Sequence, residues 1–280
     1  MTARRCSTEA TIEPFAEVFA VMSSLSRTRS VAGAVAWRGI HNAFTNPAFL
    51  LPSVMFPLFF FIAFAGGLSG IQNAPNFEFK SGYSSFQFAF VCIQAAAFGG
   101  VFTGFAIAGD FEFGFARRLL LAAPNRGGIV IGYMLSAMTR AAFVIGVVFV
   151  AGLISGMSVD GSLGDLLALL VMALGVSAVA TLWATGIAMR LRTMQAAPLM
   201  QMPIFILLFL APVYVPIELI AGWVHDVAQF NPATAFLEAA RGFISGEPTK
   251  VGVSAACVLG LGALAAFWAR GGLRSAERAG

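Results

Sequence analysis

The 280-residue sequence carries hydrophobic side chains at 59% of its positions and charged ones at 11%, with a mean hydropathy of +0.85. Soluble domains carry about 25% charged residues, so a water-soluble globular fold is excluded and the solvent is lipid. The net charge of +4 does not point to nucleic acid, because the 17 basic residues are scattered and stand mainly beside apolar blocks, as membrane orientation requires.

Residues 1–28 hold Arg4, Arg5, Glu9, Glu13 and Glu17 without an apolar stretch of signal-peptide length, and read as a cytoplasmic tail. Residues 29–47 set Trp37, Ile40 and Phe44 on one helical face with Arg38 off it, which predicts a helix lying in the membrane interface. Asn46-Pro47 ends that helix. Six crossings follow, at about 49–68, 86–108, 131–155, 163–189, 198–215 and 251–269. Each is close to the roughly twenty residues that span about 30 Å of hydrocarbon as a helix.

Residues 216–249 show two short amphipathic patterns, Leu219, Ile220, Trp223, Val224 and Val227, then Phe236, Leu237, Ala240, Phe243 and Ile244. Between them Asn231-Pro232 has the chemistry of a helix cap followed by proline in the first turn. They predict two re-entrant helices on the outer side, covered by protein or lining a water-filled cavity. Thirteen of the 17 basic residues fall on one side of this arrangement. Only Lys80, Arg241 and Lys250 fall on the other, and Arg140 lies within the third crossing. The positive-inside rule puts the thirteen, and both termini, in the cytoplasm. The fold class is therefore an all-α integral membrane protein, one membrane domain over residues 1–280.

Catalytic chemistry finds no foothold. Cys6, Cys92 and Cys257 have no metal-type spacing, and His41 and His225 are the only imidazoles, so no metal or redox site is expected. A phosphate-binding loop needs lysine behind glycine, but Lys80 follows Phe79 and Lys250 follows Thr249. Any ATP-driven work must draw on another polypeptide.

Residues 110–126 carry Asp110, Glu112, Gly114, Arg117, Arg118, Leu119, Leu120, Pro124 and Arg126 on the basic side. Acids before bases suit a short helix dipole, and the aromatic and leucine side chains suit a partner cleft. A solvated turn whose arginines only set topology is the equal alternative. Glu238 and Arg241, three apart, can pair on one helical face. Arg140 reads as a side chain that snorkels to the interface rather than a functional buried charge. Met200, Met202, Phe205 and Phe209 read first as packing and second as a greasy substrate surface.

Together these segments resemble the membrane subunit of ABC-2 type exporters, in particular the daunorubicin-resistance-like drug permeases. The resemblance is carried by Arg38 with Asn46-Pro47, and by Asp110, Glu112 and Gly114 ahead of Arg118-Leu119-Leu120. Ala123-Pro124-Asn125-Arg126, Pro212 to Pro216, and Asn231-Pro232 with Glu238 and Arg241 complete it. It implies that 110–126 is a coupling segment seated in a separate ATPase subunit, which binds the ATP and Mg, and that the helix around Arg38 braces the joint. It implies a second membrane subunit, identical or not, and an external gate around Asn231, Pro232, Glu238 and Arg241. It also implies a path along the second and fifth crossings and a place in a bacterial inner membrane. An amphiphilic drug, a lipid or another hydrophobic substrate is the expected cargo, with a polysaccharide or a small peptide as the alternatives. An ion-coupled carrier and a non-transporting scaffold are the competing classes.

Overall fold

The computed structural model describes residues 6–73, 77 and 79–278, and the side chains among them except those of 6–24, 48 and 49. Arg4, Arg5, Glu78 and the side chains of Cys6, Glu9, Glu13 and Glu17 lie outside that description. The described chain is helical throughout and contains no strand. Helix α1 spans Cys6–Thr45, so the interfacial helix expected from residue 29 begins far earlier. Asn46 alone separates it from α2, Pro47–Gly67. Helix α3 spans Gly82–Glu112, α4 Phe115–Ala122, α5 Gly127–Ile154 and α6 Leu163–Leu191. Helices α7 (Ala197–Phe209), α8 (Trp223–Phe230), α9 (Pro232–Ser245) and α10 (Val251–Arg278) complete the order.

Five of these helices, α2, α3, α5, α6 and α10, are long and apolar enough to cross a bilayer. The fifth crossing expected at 198–215 is instead a 13-residue helix, α7. Proline explains the shortfall, since Pro212 and Pro216 offer no N–H to continue a helix. The segment still runs the length of α3. At one end the Met194 amide and the Thr193 hydroxyl bond to Glu112, at 2.8 and 2.7 Å. At the other, the Tyr83 hydroxyl donates to the Tyr214 carbonyl at 3.1 Å. Helix α3 is about 46 Å long at 1.5 Å per residue and α7 only about 20 Å. A 3-10 turn at Met194–Ala196 before α7 and irregular chain after it cover the rest.

Helix α3 is the centre of the bundle and is buried on every face over most of its length. Small residues let its neighbours approach: a Cβ on Gly100 would stand 2.5 Å from the Thr181 amide nitrogen of α6. Without a hydrophobic driving force inside lipid, such close backbone packing is a main source of helix association. On another side, Phe56 and Phe60 of α2 meet Phe98 and Phe90 of α3 edge to face, and Phe205 and Phe209 of α7 close the cluster. Leu51, Met55, Phe59 and Ile62 of α2 face outward, away from the bundle. Helix α1 lies along α5, where a Cβ on Gly132 would come within 2.6 Å of Val35 Cβ.

Replacing Gly100 by valine is expected to destabilise the bundle by about 1–3 kcal/mol or more, the usual cost of overpacking. Gly146→Ala on α5, which has open space around it, serves as the control. Thermal unfolding of both variants in detergent should show a lowered midpoint for the first alone.

Candidate functional site

The two ends of α3 carry the polar machinery. At the basic end Asp110 accepts two hydrogen bonds from Arg38, at 2.8 and 2.6 Å, and a third from the Tyr133 hydroxyl at 2.7 Å. A bidentate guanidinium–carboxylate pair is strong and fixes orientation. The same guanidinium stacks over the Phe115 ring, 3.7 Å from its centroid. Hydrogen bonding to Asp110 holds the Arg38 guanidinium above its ordinary value, against the opposing effect of burial. One carboxylate thus ties α1, α3 and α5 together at the root of α4. Glu112, two residues on, holds the turn between α6 and α7 through Thr193 and Met194.

Beyond Glu112 the chain reverses at Gly114, whose φ of +74° is a conformation that other residues rarely adopt. Helix α4 then presents two faces. Ala116 and Leu120 are buried in a cluster with Phe111, Ile129 and Tyr133. Arg117, Arg118 and Pro124 are exposed, and so are Leu121 at 78% and Phe113 at 83%. Leu120, expected on the partner-facing side, is therefore an anchor, Leu119 is half-buried, and Leu121 takes the outward place. Arg126 turns back, its Nε donating to the Leu120 carbonyl at 3.1 Å and its Nη1 pairing with Glu277 of α10 at 3.2 Å. Asn125 donates to Thr28 of α1 at 2.7 Å. The segment is a short helix clamped along its inner side, with an outer face of two arginines between two bare apolar side chains.

The opposite end of α3 faces the broken end of α7. Carbonyls left without helical partners there must be satisfied within the protein. Asn231 donates to the Leu207 carbonyl at 2.6 Å, and its own Oδ1 caps α9 by accepting the Ala233 amide at 2.9 Å. Arg241 donates to the Pro212 carbonyl at 2.7 Å and stacks over Phe86. Gln87 reaches the Val213 carbonyl at 3.2 Å. Pro232 occupies the first turn of α9.

The pair expected between Glu238 and Arg241 does not form. Glu238 pairs with Lys250 instead, because Arg241 turns inward to the carbonyls while Glu238 stays at the rim. Lys80 pairs with Glu247 beside it, and that bond holds its ammonium above the ordinary lysine value.

One expectation within the bundle changes. Arg140 does not snorkel. It is buried in mid-α5, and its Nη2 donates to the Gly99 carbonyl and, at 2.7 Å, to the Thr103 hydroxyl of α3. Gly99, whose missing Cβ would touch Ala141 at 3.4 Å, brings α5 close enough for that reach. A cation at the centre of a spanning helix costs about 2.5–3.5 kcal/mol on insertion scales, so these inward acceptors offset part of that cost. Met200, Met202, Phe205 and Phe209 do not form one surface. Met200 is fully buried against Gly104, Met202 is exposed, and the two phenylalanines belong to the aromatic cluster. Tyr133, Tyr83, Gln87, Phe113 and Leu121 were missed, because their roles arise from which helix end they meet.

A sequence model of a family described as ABC-2 type transporter matches residues 31–244, from the middle of α1 to the end of α9. No curated protein matches the chain. Hydrogen bonds to a charged group contribute about 1.5–3 kcal/mol. Since Arg38 is one-third exposed, solvent screening lowers that range. A double-mutant cycle of Arg38→Gln and Asp110→Asn should therefore return a coupling of about 1–2 kcal/mol in unfolding free energy. Additive effects would mean that the pair does not brace α4.

Proposed function

The chain belongs to the ABC-2 type transporter membrane family, and on that premise we propose that it is the permease subunit of an exporter powered by a separate ATP-hydrolysing subunit. The observation that carries this reading is α4, rigid on its inner side and bare on its outer. An eight-residue helix that leaves Leu121 exposed beside Arg117 and Arg118, with Phe113 bare at the turn just ahead of it, suits a cleft better than it suits water, since exposed apolar patches rimmed by polar groups mark interaction sites. Asp110 and Arg38 would carry force from that cleft into α1 and α3. Glu112 would carry it to α7.

In this reading the basic end is cytoplasmic by the positive-inside rule, in a bacterial inner membrane. The segment through α7 counts as the fifth of six crossings, so both termini are inside. Helices α8 and α9 form the external gate, with Asn231 and Arg241 as its hinge pins on α7. ATP and Mg bind to the partner, and a second membrane subunit, identical or related, completes the path along α3 and α7. Cargo is an amphiphilic drug or lipid, in keeping with the daunorubicin-resistance-like resemblance and with the phenylalanine-lined seam between α2, α3 and α7.

The test is recovery of the ATPase subunit with affinity-purified variants. Leu121→Asp and Phe113→Asp should each lower that recovery by about tenfold, as loss of an apolar anchor does, with the amount of inserted permease unchanged. Glu247→Gln, at the opposite end, should leave recovery unaltered. Full recovery and full transport by both aspartate variants would remove α4 from the docking role.

A further inference from the structure

Arg140 has an unused donor. Its side chain is almost wholly buried, its Nε has no hydrogen-bond partner, and among the described residues no carboxylate pairs with it. It also forms part of the wall of a cavity of about 220 Å³ between α1, α3 and α5. Ser136 supplies a hydroxyl to that wall and Phe105 supplies apolar surface, while the Thr103 hydroxyl already donates to the Gly99 carbonyl and accepts from Arg140. Arg38 and Asp110 line it too, but they neutralise each other through their bidentate bond. The cavity therefore holds one uncompensated positive charge, within a bundle that lies in lipid.

The Nη2 of Arg140 is held by Gly99 and Thr103 and its Nε is sealed by protein, so the guanidinium attracts a carboxylate or phosphate chiefly as a counter-charge at low dielectric. A neutral or cationic molecule would leave its charge unanswered where answering charges are most needed. The mixed wall fits a charged head joined to an apolar body. We propose that this cavity holds the anionic headgroup of an amphiphile, phosphate or carboxylate, with Arg140 as its counter-charge. The head is met by Arg140 and the Ser136 hydroxyl, and Phe105 covers the first part of the tail. The molecule is either a resident anionic lipid or cargo, and only in the second case does the inference rest on the permease reading.

Native mass spectrometry of the full chain in dodecyl maltoside tests this, with phosphatidylglycerol, dodecyl phosphate and phosphatidylcholine as probes. One anionic molecule should bind per chain, and phosphatidylcholine should not bind in the same range. Tighter binding of phosphatidylglycerol identifies a resident lipid, and tighter binding of dodecyl phosphate identifies a single-chain cargo. Both outcomes support the site.

Arg140→Gln should weaken the anion by about ten- to a hundredfold, the loss of its counter-charge, and Arg140→Lys should retain most of it. Ala106→Trp, which fills the cavity and leaves the charge in place, should lose binding as well. Equal affinity in the wild type, Arg140→Gln and Ala106→Trp, or phosphatidylcholine binding as tightly as the anions, would overturn the proposal. The measurement needs no ATPase subunit, so its failure leaves the permease reading standing, and the reverse also holds.

Discussion

Helix α3 has neighbours on every side, and that enclosure sets the terms for the other helices. A helix buried all round can meet others closely only where its side chains are small, and Gly99, Gly100 and Gly104 are the places where α5, α6 and α7 come in. Its own backbone is satisfied internally, as lipid demands. The polar groups it carries are therefore free to serve its neighbours: Asp110 and Glu112 at one end, Tyr83 and Gln87 at the other, and the Gly99 carbonyl with the Thr103 hydroxyl in between. Each anchors a different element. Displacing either end of α3 must move whatever is tied there.

Helix α7 is the complement of this rigidity. It stops short because proline cannot donate, and its loose carbonyls are held by side chains rather than by a continued helix. Bonds from Asn231, Arg241, Gln87 and Tyr83 to carbonyls can exchange partners with little covalent strain, whereas a ladder of helical hydrogen bonds breaks cooperatively. A break at one end and a fixed turn at Glu112 give α7 the mechanics of a pinned lever. The two helices are in contact along their length through Phe90, Phe98, Phe205 and Phe209, the arrangement that the proposed coupling would use.

Hydropathy and charge placed α2, α5, α6 and α10 within a few residues at their N-terminal ends, because apolar blocks of spanning length leave little freedom. The Asn231-Pro232 cap was legible for the same local reason, whereas Arg38 and Asp110 entered as separate features of the family resemblance and only the fold pairs them. Periodicity alone could not choose between Leu120 and Leu121 as the buried side chain of α4, since neighbouring residues face different ways and the partner helix decides. The Glu238–Arg241 spacing permitted a pair that tertiary acceptors took apart. Arg140 was misread because sequence position sets how far a side chain stands from the interface, and only packing reveals that Gly99 opens a nearer, inward partner.

On the proposed reading the outer face of α4 meets an ATPase. A photo-reactive phenylalanine analogue in place of Leu121, activated in intact cells, probes that face directly. The account predicts a covalent adduct with a protein that carries a phosphate-binding loop, and no such adduct when the analogue replaces Trp223 of α8. Adducts from position 121 confined to lipid or to this chain itself would contradict it.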